Sequence, residues 1–463
     1  MRNLADLHKS QLHGLINLLG QAFSDLSVRI DAFSLETLCS CIFNVMNARW
    51  RKYHTIEHVY DLCDTQDPIE ILAGAYHDMV YLQVDRRIHP KISVHLMEFL
   101  EFDDDYTIQT VNHGNDLILR IADKIFGISP GAQLGPMTGA NEYLSAITGA
   151  RILSSYLGVW NTVQLIACIE LTRPFRKSND RGEAPPQQLE RRIRELLNEI
   201  ELKVSEQDIQ QAILRAVRTG NRDVKSFSNE LGIFQTNTWS LILEGNPVFK
   251  NPMFTISQYR TALLRVERFY TSLDTRLIYQ HYGDSKELNS EIDRMRQKAE
   301  KNIQVSIEYY RMRLCSVAIF EAIAERTGGE APLMLFTGNV TPESIRSRSL
   351  VEHFLDPKIA ECHPSEYNLE ALPLFNQGIY DALGSELKNQ TISSYLYVRT
   401  SQQEREKIYA NASLLFEKKL DSIAYLKSLR MEIGLSVLDA VYQMVISRRK
   451  QISDLRNILT APS

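Results

Sequence analysis

The segment Tyr53-His54-Thr55-Ile56-Glu57-His58, followed by His77-Asp78, is where this chain concentrates its chemistry. Three imidazoles and a carboxylate fall between positions 54 and 78, in a chain with 11 histidines in all. Imidazole nitrogen and carboxylate oxygen together suit divalent ions of intermediate softness. An ion in such a site makes a nucleophile of water near neutral pH. Metal-assisted hydrolysis is therefore the first reading. The plainer alternative makes His54 a surface residue and His77 a hydrogen-bonded core histidine, and for one isolated histidine it would be preferred. The joint pattern favours the metal.

On a helix, His54 and His58 face the same side. Adjacent His77 and Asp78 point about 100° apart on a helix. Both touch one ion only if it sits over the edge between them. A further ligand must come from elsewhere in the chain.

The elements that position these groups read as helices. Leu12, Leu15, Ile16, Leu19 and Phe23 form one apolar stripe, and Leu35, Leu38, Cys39, Phe43 and Met46 form another. Ile69, Leu72, Ala73 and Tyr76 form a third that leads into His77-Asp78. Asp67-Pro68 before it has the residues of a helix start, Asp at the N-cap and Pro at the first helical position. Convincing alternating strands are absent, so the expected class is all-α. Residues 85–140 break the pattern with Asp103-Asp104-Asp105 and a glycine-rich run from Gly127 to Gly139, and read as a partly irregular insertion. Lys177 to Gln187 is a second turn-rich stretch, and Pro332 to Pro373 a loop-rich one. Glu287 to Thr327 reads as one long helix stopped by Gly328-Gly329, and Gln402 to Leu459 as another long pattern that Gly434 bends.

A chain of 463 residues is too long for one core, so two or three domains are expected. The boundary is placed after 235, with a helical C-terminal domain over 236–463. A hydrophobic fraction of 44% with 24% charged residues is that of an ordinary soluble protein. The net charge of −5 argues against general attraction to nucleic acid or an anionic membrane, while leaving room for a local basic pocket. No run is long and apolar enough for a transmembrane helix, and Met1 to Asp6 lacks a signal pattern. The six cysteines show no paired framework and read as reduced thiols of a cytoplasmic protein. A protein exported by a non-cleaving route would look the same.

His58, then His77-Asp78, then a distant Asp is the ligand order of the HD-domain metal-dependent phosphohydrolase superfamily, which this chain resembles over about residues 45–230. The closer resemblance is to a bacterial branch with a Tyr-His-x-x-x-His segment, a His-Asp-x-x-Tyr segment and an Asn-Glu-x-x-Ser-Ala segment. Here these are Tyr53-His54…His58, His77-Asp78-Met79-Val80-Tyr81 and Asn141-Glu142-Tyr143-Leu144-Ser145-Ala146, with Ile169-Glu170-Leu171-Thr172 matching a later Ile-x-x-Thr helix. The resemblance implies an HD-type helical bundle, with the insertion about 85–140 forming a lid or partner surface. It implies one divalent ion (Mn, Fe, Co, Zn or Mg) held by His58, His77, Asp78 and a last Asp. Asp223 lies at the expected distance on a helix with an apolar face; Asp116 and Asp180 compete with it. Where many relatives place a histidine after the Thr, this chain has Arg173-Pro174-Phe175-Arg176. That favours a mononuclear site, or a site using Glu142.

The implied substrate is a small phosphate monoester or diester, a nucleotide among the candidates. Asp78 would serve as ligand and proton acceptor, and His54 as general acid or as an orienting group. Glu142 would orient the water or contact a second ion; a helix-capping role is equally consistent. Arg176, Lys177, Arg51 and Arg222 are the candidate phosphate contacts, Arg176 first, although charge runs are more often solvated faces. Two rivals remain. One is a diiron oxygenase of HD fold, drawing extra histidines from His89, His95 and His113. The other is a non-enzymatic adaptor in which the metal only stabilises the fold. The long C-terminal helices would pack on the first domain, cover its site or form a homodimer face.

Overall fold

Asp67 starts a helix in the way its sequence suggests. Its carboxylate accepts from the backbone N–H of Ile69 at 3.1 Å and of Glu70 at 3.3 Å, and Pro68 occupies the first turn. The same logic recurs along the computed structural model, which describes residues 4–86, 88–99, 105–111, 114–251, 253–283, 286–338, 350–377 and 392–461. Asp103, Asp104 and His113 lie outside these residues. The chain is all-α. Among the described residues the only paired strands are β1 (Ile108–Gln109) and β2 (Gln133–Leu134), a two-stranded antiparallel sheet.

The chain divides into two compact units. The first comprises Met1–Ser228 and Asp274–Lys298, the second Asn229–Leu273 and Ala299–Ser463. The first unit leaves the chain at Ser228 and regains a later segment, Asp274–Lys298. Asn221 holds that segment by a two-way amide contact, donating to the Gln280 carbonyl at 2.9 Å and accepting from its N–H at 2.8 Å.

The helices of the first unit are α1 (Leu4–Asp25), α2 (Ala32–Met46), α3 (Ile56–Leu62), α4 (Pro68–Tyr76), α5 (Leu82–Asp85), α6 (Pro90–Ser93), α7 (Leu117–Phe126), α8 (Ala140–Leu153), α9 (Val159–Leu171), α10 (Pro185–Glu199) and α11 (Glu206–Asp223). α9 is buried on all sides from Thr162 to Leu171, the pattern of a helix enclosed by others rather than lying on a surface. α4, α7, α8, α10 and α11 pack around it. α4 is likewise buried from Ile69 to Tyr76, so its C-terminal end delivers His77 and Asp78 into the interior.

The segment 85–140 is not a detached flap. Ile92, Leu96, Phe99, Ile108, Leu119, Ile121, Ile125 and Phe126 all join the core of the first unit. The apolar residues of α7 recur on one face, which lies against α8, α9 and α10.

The second unit contains α12 (Leu231–Gly245), α13 (Ile256–Ser272), most of α14 (Lys286–Thr327), α15 (Leu333–Thr337), α16 (Leu372–Gln377), α17 (Ser393–Arg399), α18 (Gln402–Phe416), α19 (Ser422–Ser428), α20 (Met431–Met444) and α21 (Arg449–Thr460). α14 has the extent expected from sequence and ends at Gly328-Gly329, where Gly329 N–H bonds the Ala324 carbonyl at 2.7 Å. The continuous pattern expected from Gln402 to Leu459 is corrected to four helices. Lys418 turns the chain with φ of +59°, and Asp421 opens α19 by accepting from Ile423 and Ala424 N–H. An apolar periodicity survives such turns, so periodicity alone overran them. Gly434 sits inside α20 rather than at a bend between long helices.

One close approach determines where α11 can lie. A Cβ added at Gly220 would stand 2.4 Å from the Leu171 carbonyl oxygen at the end of α9. Only a residue without a side chain permits this crossing. We expect Gly220→Ala to destabilise the protein by about 1–3 kcal/mol, the usual range for overpacking, with a lowered midpoint in chemical denaturation. An unchanged midpoint would mean the two helices can separate at little cost.

Candidate metal centre

Two buried glutamates hold the helices that carry the site. Glu70, on α4, has no exposure. Arg218 Nε donates to its Oε1 at 2.7 Å and Arg222 Nη2 to its Oε2 at 2.6 Å, both from α11. Arg222 Nε also donates to the Leu62 carbonyl at 2.9 Å, so one side chain ties α3, α4 and α11 together. Glu170, on α9, is equally buried and meets Arg176 Nη1 at 2.5 Å and Arg192 Nη1 at 3.2 Å. A buried carboxylate is tolerable only with such partners.

These ties bring together what the sequence scatters. His77 caps the C-terminal end of α4, His58 lies within α3 and Asp223 is the last residue of α11. His58 Nε2 is 3.0 Å from Asp223 Oδ1 and 3.3 Å from His77 Nε2. His77 Nε2 is 3.4 Å from Asp223 Oδ1 and 2.7 Å from Asp78 Oδ2, and His58 Nε2 is 3.7 Å from that same oxygen. Metal bonds near 2.0–2.2 Å place neighbouring ligand atoms about 3.0–3.5 Å apart. His58, His77 and Asp223 form a group that could hold a metal ion. Asp78 is outside that three-residue group, yet its Oδ2 approaches both imidazoles.

The donor chemistry fits an ion. His77 Nδ1 lies 2.8 Å from the Gly74 carbonyl. A carbonyl only accepts, so Nδ1 carries the hydrogen and the neutral ring offers its Nε2 lone pair inward. Asp78 Oδ2 is enclosed and has no hydrogen-bond partner, although it lies 2.7 Å from His77 Nε2. Glu142 Oε2 is enclosed and unsatisfied as well. Orphaned buried oxygens beside inward-facing imidazole nitrogens need a cation, a proton or a water.

Electrostatics follow from this crowding. Burial opposes charge on His77, yet Asp78 and Asp223 override it and hold its pKa well above the ordinary value. Burial also works against ionised Asp78, but His77, His54 and His58 hold its carboxyl well below the usual range. Asp223 is opposed by burial and lowered to about 2 by hydrogen bonds to His58 and His77. Glu142 moves the other way. Burial, with Asp78 and Asp223 nearby, pushes it up to about 7 against the pull of its own N–H and Arg173.

His54 precedes α3 rather than sharing its face, because the helix starts at Ile56. It still reaches the site, with Nε2 4.0 Å from Asp78 Oδ2. Its ring meets Tyr81 at 4.5 Å, Tyr53 at 4.9 Å and His58 at 5.6 Å between centroids. Tyr53 is anchored in turn by its hydroxyl to Ser226 at 3.1 Å.

Among the basic residues singled out from sequence, three are engaged structurally. Arg51 is buried, forks onto Asp85 at 3.0 and 2.6 Å and donates to the Asp78 carbonyl at 2.7 Å. It fixes the backbone of a ligand. Arg222 is spent on Glu70 and Arg176 on Glu170. Lys177 is exposed, within electrostatic reach of Asp274. Asp116, a rival last ligand, caps α7 and pairs with Arg151 at 2.7 Å, and Asp180 sits exposed in a turn. His89 caps α6, and the His95 carbonyl accepts from Arg151 at 2.5 Å; neither joins the metal group.

Two contributions were not anticipated. Asn141 Oδ1 accepts from Leu82 N–H and Ser145 Oγ from Val80 N–H, each at 3.0 Å. These side chains on α8 hold the segment that follows His77-Asp78. Arg173 also stands out. Its guanidinium is 3.6 Å from Glu170 and 5.6 Å from the Phe126 ring, and among the described residues it donates no hydrogen bond. It lies against Gly139, which adopts φ of +97° and has room for no side chain there. Arg173 follows the end of α9, three residues before Arg176, and only packing separates their roles.

Compared with family models, curated proteins and solved structures, the chain matches none. Glu170→Ala is expected to cost about 3–5 kcal/mol, because Arg173, Arg176 and Arg192 would lose their shared counter-charge in a buried setting. Equilibrium denaturation measures it; a cost below ~1 kcal/mol would show that water replaces the carboxylate.

Proposed function

We propose that the first unit is a metal-dependent phosphohydrolase of HD type, acting on a small phosphate monoester or diester, a nucleotide among the candidates. The observation that carries this reading is the grouping of His58 Nε2, His77 Nε2 and Asp223 Oδ1 at 3.0 to 3.4 Å from one another, with Asp78 Oδ2 2.7 Å from His77 Nε2 and 3.7 Å from His58 Nε2. Bound among these donors, a divalent ion (Mn, Fe, Co, Zn or Mg) would supply Lewis-acid polarisation of a phosphoryl oxygen and of a water.

The chain's own groups do the rest. Asp78 is held through its backbone carbonyl by Arg51, and its carboxylate accepts the proton of the attacking water. As water oxygen bonds to phosphorus, the bond to the leaving oxygen breaks, and His54 protonates that oxygen from its seat between Tyr53 and Tyr81. Glu142, with its pKa near 7, is partly protonated at neutral pH and so repels an anionic substrate less than an ordinary carboxylate. Arg173, whose guanidinium makes only a long 3.6 Å ion pair to Glu170 and no hydrogen bond among the described residues, offers donors to the non-reacting phosphoryl oxygens.

A single-ion hydrolase is favoured over a diiron oxygenase because, among the described residues, neither His89, which caps α6, nor His95 joins the ligand group. The test is a screen of phosphorylated metabolites with each metal in turn. Asp78→Asn is expected to reduce phosphate release by about 10²–10⁴-fold, the usual worth of a general base, and His77→Ala to lose both the ion and the activity. Two irons per chain with oxygen consumption would replace the hydrolase reading. Phosphate release that survives in a metal-free His77→Ala protein would end it.

The two arginines separate in the same assay. Arg173→Ala is expected to raise KM about tenfold or more through loss of a charge-assisted contact, with little change in melting temperature. Arg176→Ala is expected to lower the melting temperature and leave KM near that of the parent. The opposite assignment would restore Arg176 as the phosphate contact.

A further inference from the structure

In the second unit, two helices face each other without closing on each other. α14 presents Ile307, Glu308, Arg311, Met312 and Cys315 toward a cavity, a one-face spacing of three and four residues. α18 presents Arg405, Glu406 and Tyr409 at the same spacing. The space between them is about 600 Å³, and Glu366, Tyr367 and Asn368 close one side. That volume lies in the usual range of small-molecule sites, roughly 300–1,000 Å³.

The lining has a definite chemical character. Met312 and Cys315 give it a buried apolar floor. Both guanidinium groups are already committed. Arg311 Nε donates to Glu267 at 2.9 Å and lies 4.9 Å over Tyr409. Arg405 donates to the carbonyls of Tyr397 at 3.1 Å, Thr400 at 2.5 Å and Glu366, and lies 4.6 Å over the Tyr397 ring.

The carboxylates are positioned but not neutralised. Glu308 accepts from Tyr397 hydroxyl at 2.6 Å, Glu366 from Gln402 N–H at 3.0 Å, and Glu406 from the Gln402 amide at 3.1 Å. Among the described residues none of the three enters an ion pair, although neighbouring Glu267 and Glu370 do. Each retains acceptor capacity beyond its one neutral hydrogen bond.

We propose that this cavity binds a small organic polycation, a linear di- or polyamine. The lining holds three carboxylates against two arginines whose donors are turned to Glu267 and to backbone carbonyls, so an anion would meet the larger negative charge and a neutral ligand would leave it uncompensated. A single ammonium would answer only one of them. Several ammonium groups on methylene spacers would make charge-assisted hydrogen bonds with carboxylates from α14, α18 and the 365–368 segment. The spacers would lie on Ile307 and Met312, and the charges against the faces of Tyr367 and Tyr409. This site is independent of the hydrolase reading, since every residue used belongs to the second unit.

Calorimetric titration of the full-length protein with spermidine tests it. Saturable one-to-one binding is expected, about tenfold weaker in Glu406→Gln and in Glu308→Gln, the worth of one charged hydrogen bond. N-acetylated spermidine should bind more weakly, and Asp223→Ala should bind spermidine as the parent does. Glu406 is exposed, so its variant keeps the test valid if loss of the Glu308–Tyr397 bond unfolds the other. No saturable heat, an affinity unchanged in folded Glu406→Gln, or an affinity lost in Asp223→Ala would each overturn the proposal.

Discussion

Two carboxylates and two imidazoles share a space too small for any of them to reach water freely, and the first unit is arranged around that crowding. Asp78 and Asp223 repel each other unless positive charge lies between them. Asp78 and Asp223 hold the pKa of His77 well above its ordinary value, so a proton on His77 supplies part of that charge. A divalent ion would supply it more compactly. Either way, the helices that end at these residues, α4 and α11, must stop at fixed positions relative to α3.

That requirement explains the expensive features around the site. Glu70 and Glu170 are buried carboxylates, each neutralised by arginines from elsewhere in the unit. Such pairs contribute little net stability compared with apolar packing, but breaking one is costly. They act as registers. Arg222 reads the positions of Glu70 and the Leu62 carbonyl together, and Asp223, the next residue, inherits that position. Gly220 allows the same helix to approach α9 one turn earlier. The backbone after His77 is held alike, with Arg51 on the Asp78 carbonyl and Asn141 and Ser145 on the N–H groups of Leu82 and Val80.

The all-α class was legible because apolar residues recur with helical spacing through most of the chain. The α4 start was legible from Asp67-Pro68, and the α14 stop from Gly328-Gly329. The fourfold division of 402–460 was not, because short turns at Lys418 and Asp421 leave the apolar rhythm intact. The packing of residues 85–140 into the core was missed because glycine and proline mark turns without saying what the intervening helix covers. Isolated charges misled for a related reason. Arg51, Arg176 and Arg222 are conspicuous beside candidate ligands, but their carboxylate partners lie 34, 6 and 152 positions away.

By itself, the sequence determined which chemistry is affordable: His58, His77 and Asp78 are metal-ligand types placed near one another, and their spacing is local. Only the tertiary structure decided which distant groups complete the site. Asp223 enters because a glycine and two arginines set the crossing of α11, while Asp116 and Asp180 are held elsewhere. Among the described residues the Arg173 guanidinium makes only a 3.6 Å ion pair to Glu170, whereas Arg176 hydrogen-bonds that carboxylate, although three residues separate them. Local spacing fixes which way neighbours point; long-range packing decides which charges are already answered, and therefore which remain for a ligand.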